Sequence, residues 1–133
     1  MKVIFTNGCF DMIHRMHVEL LRFCKSRGDK VVVGLNSDSS VKRLKGDTRP
    51  IFNQEDRKFV LEAFESVDEV IIFDEDTPYE LIKELKPDEI VKGGDYEENE
   101  VVGNDIAKVV LFNYIEKYST TNTLSSLQKD IIL

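Results

Sequence analysis

The sequence predicts an α/β fold, a doubly wound domain with a mainly parallel sheet of five strands. Short β-branched apolar runs alternate along the chain with segments of helical period, the pattern of repeated strand–helix units. Residues 31–35 are continuously apolar, as expected of a strand buried on both faces of a parallel sheet. The length of 133 residues predicts one domain over residues 1–133.

The strands are predicted from apolar runs bounded by turn residues. The first run ends in an Asn-Gly turn, and the fourth ends in a Gly-Gly pair that by itself is typical of any turn. The predicted strands are residues 3–6, 31–35, 69–73, 89–92 and 109–114.

The helices are predicted from 3.6-residue periodicity and from their end signals. Gly28 closes the first helix, and Pro78 favours the first turn of the fourth. The third is expected to bury Phe59, Val60, Ala63 and Phe64. The predicted helices are residues 18–26, a short turn at 41–45, 54–66, a segment opening at 77–78 and stopping at 86–88, and 123–133.

Composition and charge narrow the class of function. A net charge of -7 disfavours non-specific nucleic-acid binding, because the electrostatic attraction to phosphates would be reversed. The apolar runs are too short to cross a bilayer, and no signal-peptide pattern precedes the first strand, so a cytoplasmic protein is expected. Cys9 and Cys24 match neither a disulfide scaffold nor a zinc site, and no protein metal site is predicted.

The turn after the first strand has the character of an anion site. Two histidines, His14 and His17, stand where the first helical pattern begins, and helix N-termini attract anions. At a spacing of three residues they share one face of a helix, so both can hold the same phosphate. Taken alone, such a pair is more often half-exposed without a ligand; the strand, glycine turn and helix around it favour phosphate.

Polar clusters follow three of the predicted strands. They occupy residues 7–17, 36–38 and 93–95. The carboxyl ends of parallel strands lie at one edge of a sheet, where ligands bind at the switch in strand order. The sequence therefore predicts one crevice lined by all three clusters.

Five stretches carry a resemblance to a known family. Residues 7–17 read Asn-Gly-Cys-Phe-Asp-x-x-His-x-x-His, which resembles the HxGH nucleotidyltransferases of the cytidylyltransferase-like superfamily. Residues 34–46, 75–78, 87–96 and 119–122 look most like the adenylyltransferase domain of the bifunctional heptose enzymes. The length of the chain is similar to that of the stand-alone glycerol-3-phosphate cytidylyltransferases.

The resemblance implies a Rossmann-like domain and a reaction. A nucleoside monophosphate passes from ATP to a sugar phosphate, foremost heptose 1-phosphate, giving ADP-heptose and pyrophosphate. CTP and glycerol 3-phosphate are the alternative pair. Mg²⁺ is expected with the triphosphate, held mostly by phosphate oxygens and water with Asp11 nearby. The expected partners are these small molecules and, in a homodimer, a second copy, with neither nucleic acid nor membrane.

The resemblance also implies roles for individual residues. The expected catalytic residues are His14, His17 and Lys45. Nucleotide binding is expected at Asn7, Gly8, Cys9, Phe10, His14, His17, Gly93, Asp95, Ser119, Thr120 and Thr121. Substrate binding is expected at Asp11, Asn36, Asp38, Lys42 and Arg57.

Several of these residues also fit purely structural roles. Asp11 suits the cap of the first helix, and Arg57 suits an ion pair with Asp56 or Glu62. The basic residues of 42–45 suit a solvated face, and residues 119–121 suit a helix cap.

One position departs from the family pattern. The glycine expected between the histidines is Met16 here. If that glycine lets the triphosphate approach the helix backbone, a methionine side chain obstructs the approach. The second hypothesis is therefore a nucleotide-binding member that Met16 has weakened or silenced.

Overall fold

Five parallel strands form the sheet of this protein, in the order β3-β2-β1-β4-β5. The structure is a computed structural model that describes residues 1–94 and 96–113. The strands are β1 Val3–Gly8, β2 Lys30–Asn36, β3 Glu69–Phe73, β4 Glu89–Gly93 and β5 Lys108–Phe112. The prediction of an α/β fold is confirmed. The strand order reverses at β1, which places the crevice predicted for this class at the carboxyl end of β1.

The described helices follow the predicted order with different ends. They are α1 Arg15–Arg27, α2 Asp38–Lys45, α3 Gln54–Glu62 and α4 Tyr79–Leu85, with a short 3₁₀ helix at Glu98–Glu100. The predicted short turn at 41–45 is the second half of α2, whose first turn is capped by the Ser37 hydroxyl accepting from the backbone N–H of Ser40. None of the described helices is long and apolar enough to cross a membrane. The helix predicted at 123–133 lies outside the described residues.

The sheet is covered on both faces by separate apolar clusters. Ile4 and Val33 point towards α1 and α3, in a cluster that includes Leu21 and Leu61. Phe5 and Val32, their neighbours in sequence, point the other way into a cluster with Ile82 of α4 and with Ile90 and Val109. Because side chains alternate along a strand, each strand contributes to both clusters.

The predicted inward face of α3 is wrong for Phe59, Val60 and Ala63, which are exposed, whereas Phe64, just beyond the helix, packs partly buried against the core. Phe59 and Val60 are 75% and 45% exposed, whereas Arg57 and Leu61 are buried. The helix also ends at Glu62, four residues earlier than predicted. The orientation follows from the Arg57 side chain, which is hydrogen-bonded beneath the ends of the strands.

Candidate active site

The turn after β1 is shaped around the ring of Phe10. Phe10 has φ 48°, a left-handed conformation that costs a non-glycine residue about 1–2 kcal/mol. Its buried ring lies over Gly8, where an added Cβ would stand 3.1 Å from Phe10 Cε2. The ring centroid is 5.4 Å from that of His17. Gly8 therefore leaves room for the Phe10 ring, which packs beside the ring of His17.

The two histidines cap α1 reciprocally. The backbone N–H of His14 donates to Nδ1 of His17 at 3.0 Å, and the backbone N–H of Met16 donates to Nδ1 of His14 at 3.2 Å. The ring centroids are 4.3 Å apart in an edge-on arrangement. Since both Nδ1 atoms accept, each neutral ring carries its proton on Nε2. Nε2 of His14 is buried and has no hydrogen-bond partner among the described residues.

Both histidines are neutral at physiological pH. Burial, the neighbouring His14 and Lys45 lower the pKa of His17 to about 3. Burial alone lowers the pKa of His14. The pair therefore offers two neutral Nε2–H donors rather than two imidazolium charges.

The charges of four cationic side chains act on Cys9, the residue that follows β1. Lys45, Arg57, Arg49 and Lys92 all lie close enough to the Cys9 thiol to favour its thiolate, although burial outweighs them and raises the pKa of Cys9. Lys45, at the end of α2, also lies close enough to His17 to lower its pKa. The charge of Lys45 therefore acts at both Cys9 and His17, in a chain that is acidic as a whole.

Asp11 holds the loop that connects α2 and α3. Its carboxylate accepts from Nε of Arg49 at 3.0 Å and from the backbone N–H groups of Ile51 and Phe52 at 2.7 and 2.9 Å. Burial raises its pKa, but these donors outweigh burial and lower it. Its side chain is 1% exposed. Asp11 is therefore not the cap of α1, which is His14, and its position does not fit a substrate contact.

Arg57 joins the ends of two strands. Its Nη1 donates to the carbonyl oxygens of Cys9 and Asn36, each at 2.8 Å, and its Nε donates to that of Phe52 at 2.9 Å. Its Nη2 donates to Oδ1 of Asp38 at 2.8 Å. With a side chain only 1% exposed, Arg57 is a structural support, and the expectation that it binds substrate phosphate does not fit this arrangement.

The other positions predicted to bind substrate differ in exposure. Asp38 is the ion-pair partner of Arg57, in place of Asp56 or Glu62, which the structural alternative for Arg57 named. Asn36 is buried and donates from Nδ2 to Oγ of Ser40, which fits a structural role. Lys42 is exposed, as its solvated-face alternative required. It lines an open groove of about 310 Å³ whose other lining residues are Asp38, Pro50, Ile51, Phe52, Asn53 and Asp56.

Some of the predicted nucleotide-binding residues lie within the part of the chain that the structure describes, and others do not. Asn7 and Gly8 are the last residues of β1, and Gly93 is the last residue of β4. All three are partly buried at the crevice edge of the sheet. The predictions for Asp95, Ser119, Thr120 and Thr121 lie outside the described residues. Within 1–94 and 96–113, no three His, Cys, Asp or Glu side chains are grouped so as to hold a metal ion.

Sequence reasoning missed two basic residues near the crevice, Arg49 and Lys92. Lys92 had a signal, because it is a charged residue within a short strand that is otherwise apolar at its centre. Arg49 had none, because its position depends on the path of the loop at 46–53. Its side chain is 3% exposed, and it forms an ion pair with Asp11 at 2.9 Å.

A model of the cytidylyltransferase-like family matches residues 5–128. The chain belongs to this family. It is 55% identical over 130 residues to the bifunctional protein HldE of Aliarcobacter butzleri, covering 97% of this chain and 27% of that protein. It is 60% identical over 121 residues to the bifunctional protein HldE of a Nitratiruptor species, covering 90% of this chain and 26% of that protein. The chain thus spans about a quarter of the length of these relatives.

Solved structures support the same fold. A lipopolysaccharide core biosynthesis protein from Thermoplasma volcanium matches with a TM-score of 0.72 and 28% identity, over 86% of this chain and 97% of that one. The pantoate-beta-alanine ligase of Francisella tularensis matches with a TM-score of 0.62 and 16% identity, over 86% of this chain and 59% of that one. At that identity the second match bears on the fold alone.

Proposed function

We propose that this family member is an adenylyltransferase that joins AMP from ATP to heptose 1-phosphate, releasing pyrophosphate. The observation that carries the proposal is the pair of neutral histidines at the start of α1, with the charge of Lys45 acting on His17. Family membership supports nucleotidyl transfer. The resemblance to the heptose enzymes and the identity to the two HldE proteins favour ATP and a heptose phosphate over CTP and glycerol 3-phosphate.

The reaction needs positioning and charge stabilisation rather than a protein nucleophile. An oxygen of the sugar phosphate forms a bond to the α-phosphorus of ATP, while the bond from that phosphorus to the bridging oxygen breaks. The bonding electrons leave with pyrophosphate. In the proposed site, the Nε2–H groups of His14 and His17 donate to phosphate oxygens as charge builds up, and Lys45 supplies a positive charge. Fixed donors of this kind typically contribute about 10²–10³-fold each in rate.

Mg²⁺ is expected to enter with the triphosphate rather than to be held by the described residues. Both carboxylate oxygens of Asp11, the acidic residue expected near the ion, already accept protein donors. Asp11 therefore does not fit as a ligand, and no step proposed here passes through a protein-bound metal. We also propose, from the sequence, that the protein forms a homodimer and is located in the cytoplasm.

The position of Met16 favours a working site over a silenced one. Its side chain is 2% exposed, so it packs inside the protein instead of extending into solvent in front of α1. Its backbone N–H is bonded to His14 Nδ1 and takes part in holding that ring. These contacts support Met16 as part of the histidine cap.

A substrate matrix tests the proposal. ATP and CTP are each combined with heptose 1-phosphate and with glycerol 3-phosphate, and pyrophosphate release is measured with Mg²⁺ present. Turnover is expected with ATP and heptose 1-phosphate, and a variant with both His14→Ala and His17→Ala gives the background. Turnover with CTP and glycerol 3-phosphate would establish the alternative enzyme. No turnover in any combination, together with tight nucleotide binding by calorimetry, would establish a silent member.

A further inference from the structure

Lys92 is a charged residue near the crevice edge of the sheet. It lies near the end of β4, partly buried, and burial lowers its pKa. Its ammonium is 5.5 Å from the centroid of the Tyr96 ring, a favourable contact between a cation and an aromatic face. Among the described residues, none forms a hydrogen bond or ion pair with it. Charged groups removed from water are normally paired, and an anionic ligand would supply such a partner.

Lys92 reaches the crevice from the face of the sheet opposite to the histidines. Ile90, two residues earlier on β4, packs with Phe5 and Ile82 in the cluster beneath α4. Because strand side chains alternate, Lys92 shares the face of Ile90. His14 and His17 stand at the start of α1, which covers the other face.

The carboxyl end of β1, where Cys9 follows the strand, lies between the two faces of the sheet. The thiol of Cys9 lies close enough to both Lys92 and Lys45 for each to lower its pKa. Lys45 in turn lies close to His17. Two cations therefore flank one point of the crevice, one on the side of the histidines and one on the side of α4.

The proposed reaction gives these two sides different tasks. In an in-line displacement, the attacking oxygen and the departing pyrophosphate lie on opposite sides of the α-phosphorus. If the histidines and Lys45 hold the triphosphate, the attacking phosphate approaches from the other side. We propose that Lys92 binds the phosphate of the sugar phosphate acceptor and holds its oxygen in line with the α-phosphorus. This inference rests on the nucleotidyl transfer proposed above.

Steady-state kinetics of charge variants tests this role. Lys92→Met removes the charge, Lys92→Arg keeps it, and Lys83→Met removes an exposed lysine of α4 as a matched control. With ATP saturating, Lys92→Met is expected to raise KM for heptose 1-phosphate by about 10-fold or more, the usual loss for a hydrogen bond to a charged group. KM for ATP should stay unchanged, Lys92→Arg should recover most of the loss, and Lys83→Met should match the wild type. A rise in KM for ATP alone would assign Lys92 to the triphosphate and overturn the proposal.

Calorimetry separates this proposal from the function on which it rests. Heptose 1-phosphate is titrated into protein saturated with α,β-methylene-ATP, which binds without reacting. Weaker binding to Lys92→Met, by about 10-fold or more, supports the acceptor role even if the wild type turns over no substrate pair. Equal affinity for the wild type and Lys92→Met, or no binding to the wild type, refutes it. A thermal melt of each variant checks that it is folded.

Discussion

The backbone N–H of His14 lies 3.0 Å from Nδ1 of His17, and this hydrogen bond makes His17 a structural part of the α1 cap. The backbone N–H of Met16 donates an equivalent hydrogen bond to Nδ1 of His14. Nδ1 of each ring therefore holds the helix, and Nε2 is left for chemistry. Stability and catalysis depend on different atoms of the same side chains.

Two substitutions separate these roles at His17. Asparagine places an acceptor near the position of Nδ1 but nothing at Nε2, so His17→Asn should keep the cap. Its stability is expected to stay within about 1 kcal/mol of the wild type. Its turnover should fall by about 10²-fold or more, because the Nε2–H donor is lost. Urea unfolding and pyrophosphate release measure the two effects.

His17→Gln is the matched control. Its amide reaches towards the position of Nε2 and leaves Nδ1 without a substitute. It should retain more turnover than His17→Asn and lose more stability, by about 1 kcal/mol for the missing cap bond. Wild-type turnover in His17→Asn would remove the Nε2–H group from the mechanism.

The buried, neutral His17 predicts how stability depends on pH. Its pKa is about 3 in the folded protein and has its ordinary value of 6.5 in the unfolded chain. Below pH 6.5 the unfolded chain binds a proton that the folded protein does not, so stability falls as the pH falls from 6.5 towards 3. His17 alone should lower the free energy of unfolding by about 2 kcal/mol between pH 7.5 and pH 5. Urea unfolding at the two pH values measures the drop.

The comparison variant for this pH dependence is His17→Asn, in which the contribution of His17 disappears. Glu89 does not interfere in this range. A hydrogen bond from Arg27 is the main cause that lowers its pKa to about 2, so its contribution is lost only below about pH 4.5. Equal pH slopes for the wild type and His17→Asn would contradict a depressed pKa at His17.

Replacing Met16 with the family's glycine should weaken the protein rather than speed it up. Met16→Gly removes a buried side chain and places glycine in the first turn of α1, at an expected cost of about 3 kcal/mol or more. Turnover at a temperature where both proteins are folded should not rise. Thermal melts and pyrophosphate release measure both. An increase in turnover would show that Met16 obstructs the triphosphate after all.

The orientation of α3 gives a matched pair of substitutions. Phe59→Ser changes a side chain that is 75% exposed and should alter the free energy of unfolding by no more than about 0.5 kcal/mol. Leu61→Ala removes a fully buried side chain and should cost about 2–5 kcal/mol. Urea unfolding of both variants measures the difference. A larger loss from Phe59→Ser than from Leu61→Ala would restore the face predicted from the sequence.

The fold was predictable because its main signals are local. Strands buried on both faces are continuous apolar runs, and the end signal at Gly28 lies within a few residues of the feature it marks. The face of α3 was not predictable in this way. Periodicity assigns a buried face to apolar residues, whereas here the hydrogen bonds of Arg57 to Cys9 and Asn36, 48 and 21 residues away, turn the helix.

The candidate site, like the fold, was predictable only where its signals are local in sequence. The spacing of His14 and His17 gave their shared position, but the bonds at Nδ1 appear only in three dimensions. Asp11 was expected near ligand or at a helix cap, and it instead binds a loop 38–41 residues away. Lys92 was not predicted, because its proposed role depends on which face of the sheet carries its side chain.

The four cations that act on Cys9 also affect how an anion approaches the molecule. With 25 acidic and 18 basic residues, the chain as a whole repels a nucleoside triphosphate. The positive charges near Cys9 oppose that repulsion in one region, which favours the approach of an anionic substrate to the crevice. Added salt shortens the range of both effects, so substrate capture should become less directed as ionic strength rises.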